Sequence, residues 1–349
     1  MTNISEPERR SLFRRPVIIA PAVVLLIVLL WCGYWFAVNL IATNAIGGLI
    51  ASMAANGRTV DCTTDTTGGF PLSLDLDCTQ PHFSDAGADM AVGLSRLTAT
   101  APVYSPGSVA ASLSSPMAFS APVRGYAYDA SWERAVAEAD AGLSGLKRVT
   151  FELDELAVTA KPDTQQKPPF SRLTASRAEL VAEPAGRGAY RFYLSADDLQ
   201  TRVRKGSDLP LISAEFDITA EDVGKSLGTD PRRTLREWLD RGGTVNVNDL
   251  VVTLGGTTAH AGGTLELSDA GLLSGRLDVR LTGLNKLAKA VGKIRPGAEN
   301  QVKQLVTAAS MVTKPVEGQP EARDVPLVIQ NGVVSVGVVP VGTIPPLRF

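Results

Sequence analysis

Hydrophobic residues follow three patterns along this chain: one unbroken apolar run, many alternations of period two, and a few stripes of helical period. The unbroken run extends from Val17 to Val38 and contains no charged residue. At ~1.5 Å per residue, a helix of this length reaches about 33 Å, enough to cross a hydrocarbon core of about 30 Å. The pattern therefore predicts a transmembrane helix over 17–38, and residues 39–57 are compatible with its continuation.

Alternation of apolar and polar residues predicts antiparallel strands in most of the remaining chain. One clear strand signal follows Gly68-Gly69, where every second residue from Phe70 to Cys78 is apolar or cysteine. Further alternations cover 151–160, 190–194, 214–220 and 245–254.

Two hairpins are predicted near the C-terminus. The first covers 263–281, with a turn around Ser268-Asp269-Ala270-Gly271. The second covers 326–339 and turns at Asn331-Gly332, a residue pair that two-residue hairpin loops favour.

Four shorter segments are predicted to be helical: the alanine-rich 132–146, then 231–241, 284–294 and 302–309. The second of these has Pro231 at its first position and Gly242 just after its end, as helix termini prefer. The expected fold class is mainly β (α+β). It consists of a curved antiparallel sheet, or several, with a few packing helices after an N-terminal transmembrane helix.

The basic residues around the apolar run predict its orientation. Four arginines precede the run: Arg9, Arg10, Arg14 and Arg15. After the run, no lysine or arginine occurs before Arg58. The positive-inside rule then predicts a single pass through the cell inner membrane, with a cytoplasmic tail at 1–16 and a periplasmic body at 39–349. The proline-rich segment 162–169 is a candidate internal boundary of that body.

Two other interpretations of the apolar run are less consistent with the sequence. A cleaved signal peptide has an apolar region of only about 7–15 residues and a small-residue cleavage site, which 39–45 does not supply well. A lipoprotein attached at Cys32 would require a small residue before it, where the chain has the bulky Trp31.

Composition and cysteines narrow the classes of function. The net charge of −2 provides no basic surface for nucleic acid, so no nucleic-acid partner is expected. Cys62 and Cys78 are the only cysteines after the apolar run, and an even pair in an oxidising compartment is a candidate disulfide. Two buried free thiols are the alternative.

The chain contains no convincing catalytic motif. The nucleophile motif Gly-x-Ser-x-Gly, a phosphate-binding Gly-Lys-Ser/Thr loop and a dinucleotide fingerprint are all absent from the sequence. His82 and His260 are its two histidines, and they lack the spacing of a metal site, so both are interpreted as structural or surface residues. We therefore expect no enzyme activity, no cofactor and no metal.

The apolar strand faces have two possible roles. They could form an ordinary core, or they could line an open groove that shields acyl chains from water, at ~0.8 kcal/mol for each CH₂ buried. The candidate face consists of Phe70, Leu72, Leu74, Leu76, Leu265, Leu267, Leu277, Val279 and Leu281.

Several of these segments together resemble a known family. They are the N-terminal anchor, the sequence GGFPLSLDL at 68–76, the Gly-spaced hairpin at 262–284, the closing Asn-Gly hairpin and a proline-rich tail. This combination resembles the alphaproteobacterial envelope family called domain of unknown function 2125. The hairpin style is also similar to the wider AsmA-like group of inner-membrane-anchored, β-rich envelope proteins. That resemblance implies a link to lipid transport and outer-membrane homeostasis, and it carries over no catalytic residue.

The sequence thus favours a non-enzymatic protein that binds lipid or another envelope component at the inner membrane. A structural or assembly partner of another envelope protein is the alternative. A periplasmic hydrolase is a third hypothesis, and it would require a polar pocket around His82 or His260.

Overall fold

The computed structural model describes residues 14–55, 57–62, 64–142, 145–161, 170–202, 210–225, 231–294, 297, 299–300, 302–303, 315–316, 319–337 and 339–347. Its helices are α1 (Arg14–Ala55), α2 (Pro231–Leu239) and α3 (Leu284–Ile294), with a 3₁₀ turn at Val223–Lys225. The strands are β1 (Arg58–Asp61), β2 (Thr64–Gly68), β3 (Ser73–Thr79), β4 (His82–Asp85), β5 (Met90–Pro102), β6 (Ser108–Ala121), β7 (Tyr126–Ser131), β8 (Arg134–Gly142), β9 (Gly145–Ala160), β10 (Arg172–Gly186), β11 (Ala189–Arg202), β12 (Ile212–Ala220), β13 (Thr244–Leu254), β14 (Thr257–Leu267), β15 (Leu273–Thr282), β16 (Pro315–Val316), β17 (Gln319–Gln330), β18 (Val333–Val336) and β19 (Val339–Thr343).

The described strands, 19 in all, form one sheet in which every pairing is antiparallel. From β8 to β15 each strand pairs with the next one along the chain, and β17, β18 and β19 continue the sheet beyond β15. At the other end, β3 and β4 lie end to end along β5. The expected mainly β fold class is therefore confirmed.

Helix α1 covers the predicted transmembrane segment and its predicted continuation. Its part from Val23 to Ala55 is, by length and composition, apolar enough to cross a membrane, with a mean hydropathy of 2.3. Among the described residues it is the only helix with this property.

The two helices predicted at 231–241 and 284–294 are confirmed as α2 and α3. Helix α2 ends where its sequence predicts, because the backbone N–H of Gly242 bonds to the carbonyl of Leu239 and Gly242 has a φ of 101°. The stripe at 302–309 lies, apart from its first two residues, outside the described residues.

The predicted helix at 132–146 is wrong, because this segment forms most of β8 and the start of β9. Strands β7 and β8 lie end to end between β6 and β9, and each pairs with both neighbours. Ala135, Ala137 and Ala139 pair with Leu153, Phe151 and Val149 of β9. Alanine favours helices only by fractions of a kcal/mol per residue, so pairing on both edges outweighs its intrinsic preference.

The strand predicted to start at Phe70 begins three residues later, at Ser73. Residues 69–72 form a turn, in which the backbone N–H groups of Leu72 and Ser73 both bond to the carbonyl of Gly69. Gly69 has a φ of 94°, a conformation that ends the strand pattern at this point. Phe70 and Leu72 therefore do not lie on a strand face.

The segment 162–169, a candidate boundary, lies outside the described residues. The strands on either side of it, β9 and β10, pair directly from Val149↔Ala182 to Thr159↔Arg172. The sheet is therefore continuous across this segment.

Candidate functional site

A row of apolar side chains crosses twelve strands of the sheet without interruption. Each member is the direct pairing partner of the next, so all of them point to one face of the sheet. The row is Leu76, Ala99, Ala111, Ala137, Phe151, Leu180, Leu194, Phe216, Leu250, Ala261, Val279 and Val325. With neighbouring strands ~4.8 Å apart, its eleven steps measure about 53 Å along the sheet.

Parallel rows widen this apolar face on both sides. One begins at Ala139 and continues through Val149, Ala182, Phe192, Ile218, Val247, Gly263, Leu277, Leu327 and Val336. The other consists of Ala135, Leu153, Ala178, Ala196, Ala214, Val252, Ala259 and Leu281. The face is therefore a continuous apolar band, three rows wide over most of its length.

The middle of this band is not covered by the described parts of the protein. Leu180 and Leu194 are 37% and 44% exposed, whereas a filled core would bury both side chains. The sheet is therefore open at these two residues.

Helices α2 and α3 cover only part of the band. Trp238 and Leu239 of α2 are buried against Ala220 and Leu267, and the Trp238 indole donates a 2.6 Å hydrogen bond to the carbonyl of Glu221. Helix α3 packs against β14 and buries Ala288 and Ala290. Helix α2 thus covers one end of the strands from β11 to β15, and α3 lies on β14, whereas Leu180 and Leu194 remain open to solvent.

Charged side chains occupy the opposite face of the sheet and pair across neighbouring strands. Arg191 on β11 makes a bidentate pair with Asp217 on β12, with N–O distances of 2.8 and 2.7 Å. Arg280 on β15 pairs in the same way with Asp324 on β17, at 2.8 and 3.0 Å. This face is therefore an ordinary solvated surface. The exposed apolar band on the other face is the unusual feature of the sheet.

The Arg191–Asp217 pair predicts a pH-dependent stability. The hydrogen bonds from Arg191 are the main reason that the pKa of Asp217 lies below its ordinary value; burial opposes this effect, and a bond from Asn248 adds to it. A depressed carboxyl pKa stabilises the fold above the unfolded-state value, and this stabilisation is lost as the pH falls through the folded-state pKa. Asp217→Asn should therefore cost about 1 kcal/mol at neutral pH, and this cost should shrink as the pH falls from about 4 through the lower folded-state pKa.

Urea unfolding of the wild type and of Asp217→Asn across this pH range measures the effect. Asp278→Asn is the matched control, because Asp278 and its partner Arg276 are largely exposed and 3.4 Å apart. A constant difference between wild type and Asp217→Asn at every pH would contradict the assignment.

A cleft of about 730 Å³ lies on the polar face. His260 lines it, with its Nδ1 atom 4.0 Å from a carboxylate oxygen of Asp249 and both side chains about half exposed. The residues that line this cleft include no serine or cysteine. His82 lies on β4, near the opposite end of the sheet. No cluster of three metal-ligating side chains occurs in the described ranges.

The structure joins Cys62 and Cys78 in a disulfide with a Cα–Cα distance of 5.6 Å. The bond ties the segment after β1 to β3, and Cys78 is only 2% exposed. It therefore fixes the first strands of the sheet close to the end of α1.

Four of the nine candidate strand-face residues belong to the apolar band. Leu76 and Val279 lie in the central row, and Leu277 and Leu281 lie in the rows beside it. The others are placed as follows: Leu74 pairs with Ala101 next to the band, Leu265 pairs with Val245 at its edge, and Leu267 packs under α2.

Sequence reasoning missed Leu180 and Leu194, the two most informative residues of the band. Each lies in an alternating segment, so a local signal existed. Their importance depends on which residues of other strands lie beside them, and a single sequence does not supply that register.

Three aromatic side chains of α1 hold the sheet against the helix. The indole N–H groups of Trp31 and Trp35 donate 2.9 Å hydrogen bonds to the carbonyls of Pro71 and Ser73. The Tyr34 hydroxyl donates a 3.0 Å bond to the carbonyl of Val103. These contacts connect the β3–β5 end of the sheet to the middle of α1.

These features define a class of protein with one apolar helix, long enough to cross a membrane, followed by an open antiparallel sheet with one apolar and one charged face. The chain belongs to the family described as "Uncharacterized protein conserved in bacteria (DUF2125)", whose profile matches residues 35–345. The resemblance to this family is therefore confirmed. Neither the curated proteins nor the solved structures contained a match to the chain.

Proposed function

We propose that this protein is a non-enzymatic lipid-binding module of the bacterial envelope, which holds acyl chains on the apolar band of its sheet. The observation that carries the proposal is the unbroken row across twelve strands, whose central members Leu180 and Leu194 are 37% and 44% exposed.

The dimensions and chemistry of the band suit hydrocarbon chains. The row, about 53 Å along the sheet, is longer than an extended acyl chain of 16 to 18 carbons. Each CH₂ group that leaves water contributes about 0.8 kcal/mol, so a chain can be held without any polar recognition motif. Ala261, Val279 and Val325 at one end of the row are buried, so the open part is the region around Leu180 and Leu194, and exposed apolar surface of this kind often marks a binding site.

The proposal places the protein in the inner membrane, with its N-terminus in the cytoplasm and the sheet in the periplasm. Arg14 and Arg15 precede the charge-free part of α1, as the positive-inside rule requires of a cytoplasmic end. The Cys62–Cys78 disulfide supports an oxidising compartment for the sheet.

Site-specific photo-crosslinking in cells tests this function on the full chain. A benzophenone amino acid replaces Leu194 on the apolar face, and in a matched control it replaces Asp197, which lies on the same strand and lines a small cleft on the polar face. After irradiation and purification, mass spectrometry identifies the adducts. We expect phospholipid or fatty-acyl adducts at position 194 and none at position 197.

Other outcomes of this experiment separate the competing functions. A stoichiometric protein adduct at position 194, without lipid, would replace the proposal by that of a structural or assembly partner in the envelope. Equal lipid labelling at both positions would show contact with the bulk membrane only, and it would contradict a specific acyl-binding face.

A further inference from the structure

We propose that two exposed turns of the sheet dock into the same bilayer that α1 crosses, on its periplasmic side. The docking turns are residues 69–72, between β2 and β3, and residues 103–104, after β5. This inference goes beyond acyl-chain binding. It assigns a membrane-contact surface and, if the proposed function holds, the end at which lipid enters the apolar band.

The depth of the docking turns follows from the charges around α1. No Asp, Glu, Lys or Arg occurs between Arg15 and Arg58. If Arg15 marks the cytoplasmic boundary, the next 20 or so residues cross the hydrocarbon core of about 30 Å and end near Trp35. The remainder of α1, to Ala55, then extends about 30 Å beyond the far boundary. Trp31, Tyr34 and Trp35 thus lie at the depth where amphipathic rings concentrate.

The docking turns are held at this depth by direct hydrogen bonds. Trp31 and Trp35 bond to the carbonyls of Pro71 and Ser73, and Tyr34 bonds to that of Val103. The ring of Phe70 also packs edge-on against that of Trp35, with centroids 5.3 Å apart. The turns therefore cannot move far from the membrane boundary without breaking several contacts.

The docking turns present apolar side chains that are more than half exposed. Phe70, Leu72 and Tyr104 are 53%, 61% and 73% exposed. No charged residue occurs within 68–74 or 101–109, so neither turn opposes entry into the interface. Exposed aromatic and leucine side chains at this depth suit the boundary between headgroups and acyl chains.

The apolar band begins directly behind the docking turns. Leu72 is followed on β3 by Leu74, which pairs with Ala101, and by Leu76, the first residue of the central row. An acyl chain could therefore pass from the bilayer to the row without crossing the charged face of the sheet. If the proposed function holds, the end of the sheet with the docking turns is therefore the end at which acyl chains enter the band.

A depth measurement on the full chain in liposomes tests the docking. An environment-sensitive dye is attached to Leu72→Cys or Tyr104→Cys in a Cys32→Ser background, which leaves the native disulfide intact. Val123→Cys is the matched control. It is 83% exposed and lies on the turn after β6, beside the start of β5. Val103 follows the other end of β5, so the two sites are about 40 Å apart at ~3.3 Å per residue.

Quenchers carried at the headgroup depth of phosphatidylethanolamine and phosphatidylglycerol vesicles report contact with the bilayer. Because interfacial groups sit about 5–10 Å into the headgroup region, we expect quenching at positions 72 and 104 at least about threefold stronger than at position 123. Trp35→Phe, which keeps the ring but removes the bond to Ser73, should reduce the quenching at position 72.

Equal quenching at positions 72, 104 and 123 would overturn the docking surface. Because the dye experiment does not depend on captured lipid, it separates the two proposals. Strong quenching without lipid adducts at position 194 leaves the docking intact and removes acyl binding. Lipid adducts with no quenching at positions 72 and 104 remove the docking surface alone.

Discussion

The double substitution Leu180→Lys/Leu194→Lys should abolish lipid binding while the protein remains folded. Both side chains are more than one-third exposed, so each new ammonium group can reach water in the lipid-free protein. An acyl chain laid across the central row would cover both charges, and a lysine in hydrocarbon costs about 3 kcal/mol. Even half of that penalty at each site gives a loss of about 100-fold in affinity. The measurement is the amount of phospholipid that co-purifies with each variant, by mass spectrometry, together with its thermal unfolding.

The matched control is Glu179→Gln/Asp197→Asn. It changes the net charge by the same amount on the same two strands, but on the opposite face, where Glu179 and Asp197 line one small cleft. We expect this variant to retain lipid at the wild-type level. If the lysine variant also retains lipid, the row is not the binding path. If it unfolds instead, Leu180 and Leu194 belong to a core that closes in solution, and the open band is wrong.

The elements that the sequence predicted correctly depend on local signals. Helix α1 follows from one charge-free run, and α2 follows from Pro231 and Gly242 at its ends. The closing hairpin turns at Asn331-Gly332, where both residues have positive φ, at 48° and 82°. In each case a few neighbouring residues determine the conformation, so no knowledge of the remaining chain is needed.

The elements that it predicted wrongly depend on distant contacts. Ala135 and Ala137 favour a helix by themselves, but β6 and β9 pair with that segment on both of its edges. Phe70 continues an alternating pattern in the sequence, but its ring packs on Trp35, which is 35 positions earlier in the chain. In both cases the residues of the segment itself do not indicate the distant contact that determines its conformation.

The candidate site shows the same division between local and distant information. Alternation identified the apolar faces of the individual strands, including Leu76 and Val279. It could not show that these two residues belong to one row, because ten registers lie between them. The middle of that row is open because α2 and α3 do not lie over it, and this too depends on contacts between distant segments. Sequence alone therefore could not separate an ordinary core from an open groove.

Removal of the disulfide by Cys62→Ala/Cys78→Ala should produce the largest loss of stability among the changes considered. The bond closes a loop with a sequence separation of 16, and a loop of about 15 residues contributes about 3 kcal/mol in the chain-entropy model. In a body of this size such a loss lowers the Tm by about 5 °C. The loop contains β2, which pairs only with β3 among the described strands, and the docking turn at 69–72.

Circular dichroism of the full chain in detergent measures this effect, and Cys32→Ser is the matched control. Cys32 is a free cysteine in α1, so its replacement should leave the Tm unchanged. Cys78 is 2% exposed, so its replacement by alanine also removes packing; wild type treated with dithiothreitol separates that loss from the loss of the cross-link. The reduced protein should also lose part of the dye quenching at position 72, because the loop that contains the turn is then held less tightly. If reduction changes neither the Tm nor the quenching, the cross-link does not hold the docking end of the sheet in place.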